Sequence, residues 1–260
     1  MEVLMEAQRH GMKSGIPGQS PSVSLRSLSD LLRLLEEAGS CLAERCDRRI
    51  RIATDDNWLL LRPSTVEQLM PPALRTICNA VAYSIEPVDE RRRLGKPDEG
   101  SVWIFAHNKG SDLCLTITDD GKGMNESLIL ESAVNSGLVE QRQTATMSPE
   151  DIRMLPFHPD FKVTPEAAVH CGCGLPLVGM HSLLDNLDAQ LSVCSHLGIG
   201  TSVTFEIRNV VELAASASDS EPDYEQSTRQ SAAPSWWVLE QSTASERHPH
   251  FEPCPQPADS

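Results

Sequence analysis

Apolar positions recur along the chain with two different periods. Leu25, Leu28, Leu32, Leu35, Ala38 and Leu42 fall at the three-and-four spacing of one helical face, which predicts an amphipathic helix from about Ser24 to Cys46. Residues 49–54 then alternate as a short strand, and Trp58 to Leu61 is a second apolar run. Ser64 followed by Glu67 has the spacing of a capping box, predicting a helix that opens there and runs to about Ser84, bent at Pro71 and Pro72. Strand-like runs at 101–107 and 113–118 flank Asn108-Lys109-Gly110, residues suited to a tight turn. A helix from Glu126 to Ser136 stops at Gly137, and Ser148-Pro149 starts a short one. The stretch 156–171 contains Pro156, Pro159 and Pro165 and reads as a mobile loop. A helix from Gly174 to Leu187 follows, then strands at 190–195 and 201–207 around Gly198-Ile199-Gly200. Strands mixed with helices in this order imply an α+β fold, a two-layer sandwich with the helices on one face of the sheet.

Composition divides the chain further. Residues 1–22 carry Gly11, Gly15, Pro17, Gly18 and Pro21 with little periodic apolar content, the pattern of a flexible leader. Residues 212–260 hold nine carboxylates against Arg229 and Arg247 and are rich in Ser and Pro, which implies a disordered acidic tail. The formal net charge of −15 opposes binding to nucleic acid or to an anionic membrane surface. No apolar run approaches the ~18 residues of a membrane span, and the N-terminus has no signal-peptide core, so the chain reads as soluble and cytoplasmic. Eight scattered cysteines without a secretion signal read as reduced thiols; Cys171-Gly172-Cys173 has no second pair to complete a metal site.

Three features carry candidate chemistry. Asp119-Asp120-Gly121-Lys122-Gly123 follows a strand directly. An acid at a strand end can accept a hydrogen bond from the exocyclic amine of a purine, and Gly121 and Gly123 let backbone approach a ligand; such turns also occur for purely structural reasons. Gly172 and Gly174 sit at the start of a helix, where backbone N–H groups and the helix dipole favour phosphate; the alternative is a loop hinge. Asn79 offers a hard amide oxygen for Mg²⁺, although a lone helical Asn is as readily a surface residue.

Their order is more specific than any one of them. A helical Asn, a strand ending in Asp-x-Gly-x-Gly, a loop ending in Gly-x-Gly before a helix, and Gly-x-Gly-Thr entering a strand together resemble the GHKL (Bergerat-fold) ATPases. Within that superfamily the chain is similar to the ATP-binding domain of the chemotaxis histidine kinase CheA. The similarity is carried by residues 79–86, Arg91, residues 95–100, residues 119–124, Ser136-Gly137-Leu138, Met147-Ser148 with Glu150, Phe161, and Gly198-Ile199-Gly200-Thr201. It covers roughly 49–210. It implies a mixed, mostly antiparallel sheet and a domain at 47–211 that binds ATP and Mg²⁺, preceded by the helix at 23–46. Residue by residue, it implies that Asn79 holds the metal, Asp119 reads adenine, Gly121 and Gly123 admit base and lid, Gly172 and Gly174 face the phosphates, and Thr201 stands beside Asp119.

The departures from the family pattern bear on catalysis. Arg75 stands where the family has His and other histidine kinases Glu, and a guanidinium cannot act as a base. Ala82, Tyr83 and Ser84 replace Asp, His and Gly; Asp160, Lys162 and Val163 replace Gly, Ser and Thr; Pro176 replaces a glycine and lacks the N–H that would meet a phosphate oxygen. Two functions therefore stand side by side: a kinase domain whose phospho-acceptor histidine lies on a partner chain, and a degenerate pseudokinase acting as a nucleotide-binding or interaction module. Trp236-Trp237-Val238-Leu239 is an apolar island in the acidic tail, suited either to a signalling partner's groove or to packing on its own domain.

Overall fold

The structure, a computed structural model, describes residues 27–55, 59, 61–162, 180, 184 and 187–211. Contacts divide the chain into the units Met1–Ala217 and Ser218–Ser260, and the described residues all lie in the first. Trp58, Gly172, Gly174, Pro176 and Trp236 to Leu239 fall outside them.

Helix α1 spans Leu28–Arg45, with the Ser27 hydroxyl accepting the Asp30 backbone N–H as its N-cap. The apolar stripe behaves as its spacing requires: Leu28, Leu31, Leu32 and Leu35 are buried against the second helix and the first strand. Strand β1 is Ile50–Asp55. Helix α2, Pro63–Asn79, begins one residue before the expected capping box. Its N-cap is Arg62, without a side-chain hydrogen bond, because Pro63 takes the first helical position, where no N–H is needed and its fixed φ is already helical. The helix continues through Pro71 and Pro72. Ala80–Ser84 then widen into a π turn, closed by the Ile85 N–H donating to the Ala80 carbonyl.

Short helix α3, Val88–Arg93, has no apolar periodicity and was invisible to the pattern. The hairpin strands are β2, Gly100–Lys109, and β3, Asp112–Asp119. Lys109 pairs with Asp112, so the turn is Gly110-Ser111, sharing Gly110 with the expected Asn108-Lys109-Gly110, and Gly110 takes the positive φ the bend needs. Helix α4, Glu126–Asn135, is capped by Asn125, and α5, Pro149–Met154, by a Ser148–Asp151 capping box. An Arg153–Glu126 ion pair of 3.2 Å joins these two helices.

The loop expected from 156 is a structural element at its start. Leu155–Phe157 form a 3-10 turn, and Phe157 and Phe161 are core residues. Prolines marked the end of helix there, but large aromatics among them meant burial. Beyond it, Met180 and Leu184 are buried, and strands β4, Ala189–His196, and β5, Gly200–Ile207, complete a sheet of order β1-β2-β3-β5-β4. Among the described strands only β1 and β2 pair parallel. Ile104, Leu115, Ile117, Val203 and Phe205 join one hydrophobic core with the helices, while Thr116–Thr204 and Thr118–Ser202 pair through hydroxyls on the opposite face. The fold is an α+β sandwich with a mixed, mostly antiparallel sheet.

The described cysteines Cys41, Cys46, Cys78, Cys114 and Cys194 are free thiols. Burial pushes Cys78 and Cys114 each up to about 11, so both are neutral near pH 7. Among the described residues no helix is long and apolar enough to cross a membrane.

Candidate functional site

The C-terminal part of α2 supplies one wall of a pocket. Thr76, Asn79 and Ala80 stand three and four residues apart and therefore face the same way. The sheet supplies the floor through Ile117, Asp119, Thr201 and Val203, while Ser84, Met124 and Phe157 close the sides. Asn79, Asp119 and Thr201, singled out from sequence, thus line one cavity, of about 30 Å³. Register explains the last pair: antiparallel alignment of β3 with β5 places Asp119 directly opposite Thr201.

Asp119 is the polar centre of this cavity. It is 5% exposed. Its Oδ1 accepts the Ser84 hydroxyl at 2.6 Å and the Gly121 N–H at 2.9 Å, and the Thr201 backbone also donates to the carboxylate. Burial pushes the Asp119 carboxyl up to about 6, and the Ser84 hydroxyl, followed by the Gly121 N–H, works in the opposite direction. Burial disfavours the charged form, whereas donors aimed at the carboxylate favour it.

Two glycines are required by close approach. A Cβ on Gly121 would be driven into the carbonyl and hydroxyl oxygens of Ser84, and one on Gly123, at φ +70°, into the His196 carbonyl. Lys122 N–H donates to the Ser84 carbonyl at 3.0 Å, and Gly198 N–H to the Lys122 carbonyl. The Asp119–Gly123 turn is therefore stitched to the π turn on one side and to the β4–β5 hairpin on the other. Ser195 adds to the second junction, its hydroxyl accepting the Met124 N–H at 2.8 Å and meeting the Thr201 hydroxyl at 3.0 Å.

Ser84 and Ser195 are site residues that sequence reasoning did not find. Ser84 looked like the loss of a family glycine, yet it donates to the key carboxylate; the signal was its place at the end of a helix that widens by one residue, a feature common at functional sites. Ser195 had no signal in one sequence, since its role follows from register alone. Arg75 lies one turn before Asn79 on α2, half-buried.

Among the described residues no group of three His, Cys, Asp or Glu side chains could hold a metal on its own. Asn79 would be a single protein ligand, which suits Mg²⁺, an ion that completes its shell with water and phosphate oxygens.

No family model matches the chain. Among curated proteins it is 28% identical to the sensor histidine kinase CheAY of Helicobacter pylori over 166 residues, 64% of this chain and 21% of that one. It is 28% identical to the chemotaxis protein CheA of Cereibacter sphaeroides over 186 residues, 72% of this chain and 27% of its relative, and 25% identical to CheA of Bacillus subtilis over 166 residues, 64% and 25%. The chain spans about a quarter of the length of these relatives, and over that span it is CheA-like. Among solved structures, full-length ShkA in complex with AMPPNP aligns over 82% of this chain and 36% of its own at 19% identity and a TM-score of 0.43. The histidine kinase domain of the Erythrobacter litoralis blue-light activated kinase EL346 aligns over 80% and 72% at 15% identity and 0.42.

Proposed function

We infer that this chain is a CheA-like, histidine-kinase-type ATP-binding domain in which Asp119 recognises adenine. One observation carries the reading: a carboxylate buried in the same cavity as Asn79 and Thr201, approached by three donors. A carboxylate has about four lone-pair sites, so capacity remains for the exocyclic amine of adenine. Gly121 lets the turn after Asp119 pack directly onto Ser84, where any side chain would strike the Ser84 oxygens. Asn79, on the wall, would present its amide oxygen to Mg²⁺ bound between phosphates; the metal would neutralise charge on the triphosphate. Gly172 and Gly174 would receive the phosphates through backbone N–H groups, and the acceptor would be a histidine on a partner.

A specific observation favours a second reading, a nucleotide-binding module without phosphotransfer. Arg75 occupies the position of the family's proton-accepting residue, one turn from Asn79, and a guanidinium takes no proton near neutral pH. Its positive charge can still favour the triphosphate. The two readings share nucleotide binding and part at chemistry. Trp236 to Leu239 would serve either as a docking segment for a signalling partner.

Retention of labelled ATP with Mg²⁺ by the wild type beside Asp119→Asn tests the shared step. We expect binding by the wild type and a loss of about tenfold or more in the variant, since a hydrogen bond to a charged group is removed. Equal retention by both would end the adenine assignment. Addition of a CheA-type histidine-bearing phospho-acceptor domain separates the readings: acid-labile phosphate on the acceptor supports the kinase, and bound nucleotide without transfer supports the module.

A further inference from the structure

We propose that Lys96 and Arg91 are positioning residues of the nucleotide site, clamping the Asp120-Gly121 turn so that Asp119 meets the base at a fixed angle. The inference rests on the reading of Asp119 as the adenine-recognising group.

Next to the pocket, but outside the residues that line it, four charged groups form one network. Arg91 is fully buried, a rare condition for an arginine without partners. It forks onto Asp120, with Nη1 to Oδ1 at 3.1 Å and Nη2 to Oδ2 at 2.9 Å, while Nη1 also reaches Glu86 Oε2 at 3.1 Å. Its Nε donates to the Pro97 carbonyl at 2.6 Å. Lys96 takes the other oxygen of Glu86, Oε1, at 2.7 Å. The same Nζ donates to the backbone carbonyls of Asp120 at 2.9 Å and Gly121 at 2.7 Å. Asp120 Oδ1 accepts the Ser101 N–H at 2.9 Å. Two positive and two negative groups thus balance, and their donors and acceptors are satisfied as burial demands.

What this network holds is the turn immediately after Asp119. Glu86 follows the π turn by two residues, so Lys96 and Arg91 bridge from the exit of that turn to Asp120 and Gly121. Asp119 is then fixed on both flanks: by Ser84 through its own carboxylate, and by Lys96 and Arg91 through its neighbour. Bidentate arginine pairs impose orientation as well as attraction, which is the property a base-reading carboxylate needs. Guanine presents a carbonyl oxygen where adenine presents an amine, so a rigidly aimed carboxylate rejects it, and a loosened one does not.

The test is calorimetric titration of ATP and GTP into the wild type, Lys96→Met, Lys96→Arg, Arg91→Lys and Asp119→Asn, with thermal unfolding and hydrogen exchange of each. Lys96 is the primary site because removing Arg91 outright would strand Glu86 and Asp120 and threaten folding. We expect folded Lys96→Met to bind ATP about tenfold more weakly. Its preference for ATP over GTP falls towards unity, and Lys96→Arg recovers part of both. A purely structural clamp would lower the melting temperature and leave the ATP-to-GTP ratio untouched. Lys96→Met and Arg91→Lys retaining wild-type affinity and selectivity would overturn the inference while leaving Asp119 in place. No difference between wild type and Asp119→Asn would remove the underlying reading instead.

Discussion

Asp119 is held at odds with itself. Burial raises its carboxyl from an ordinary 3.8 to about 6, which means the folded chain binds this proton more tightly than the unfolded one. The contribution of this group to stability is therefore fully present below about 3.8 and is lost as pH rises to about 6. Recognition of an amine requires the opposite state, an unprotonated acceptor. Two observables should move in contrary directions: adenine-nucleotide affinity falls as pH drops through about 6, while this residue's share of ligand-free stability rises. Titration calorimetry and urea unfolding over the same pH series measure the two. Ser84→Ala removes the hydroxyl that favours the charged form, so its affinity midpoint should lie at higher pH than the wild type's; an unmoved midpoint would assign Ser84 no electrostatic part. In Asp119→Asn the ligand-free melting temperature at pH 7.5 should rise by roughly 2–4 °C, the equivalent of about 1 kcal/mol, because a buried charge is gone while its donors keep an acceptor.

At the scale of elements, local pattern carried the strands, the amphipathic α1 and the capped helices α4 and α5. It failed where tertiary context decided. Pro63 displaced the expected cap at Ser64, and the hairpin turned over Gly110-Ser111 rather than over all of Asn108-Lys109-Gly110. The candidate site was visible in part for the same reason. Asp119, Gly121 and Gly123 fall within one five-residue stretch and announce themselves, and Asn79 shares a helical face with Thr76; Ser84, Ser195 and Lys96 reach the Asp119–Gly123 turn through a π turn, a strand register and an ion network that no single segment encodes. Phe157 shows where reading prolines as a mobile loop misses a core residue. It is fully buried and lines the cavity around Asp119. Phe157→Ala should destabilise the domain by about 3–5 kcal/mol in denaturant unfolding, as expected for a large core truncation. It should also widen the cavity that Phe157 lines, so the tolerance for base analogues with bulkier substituents should increase. Unchanged stability would show that the aromatic ring is dispensable to the core.

At the scale of the molecule, α1 shares a hydrophobic core with the sheet rather than hanging from it, since Leu28, Leu31 and Leu35 are fully buried. Leu35→Ala should lose about 2–5 kcal/mol, and a chain beginning at residue 47 should lose its cooperative unfolding transition; a truncated chain that melts sharply at the wild-type temperature would separate the helix from the domain. The parallel pairing of β1 with β2 has a consequence in time. Parallel neighbours need a long crossover, and here that crossover, 56–99, contains α2, the π turn and the Arg91–Lys96 segment. Asn79 and the Arg91–Lys96 segment thus lie on a connection whose closure is a non-local and slow event. A nucleotide present during refolding should leave the rate of acquisition of structure unchanged and act entirely by retarding escape from the native state, an asymmetry that stopped-flow traces in both directions would reveal.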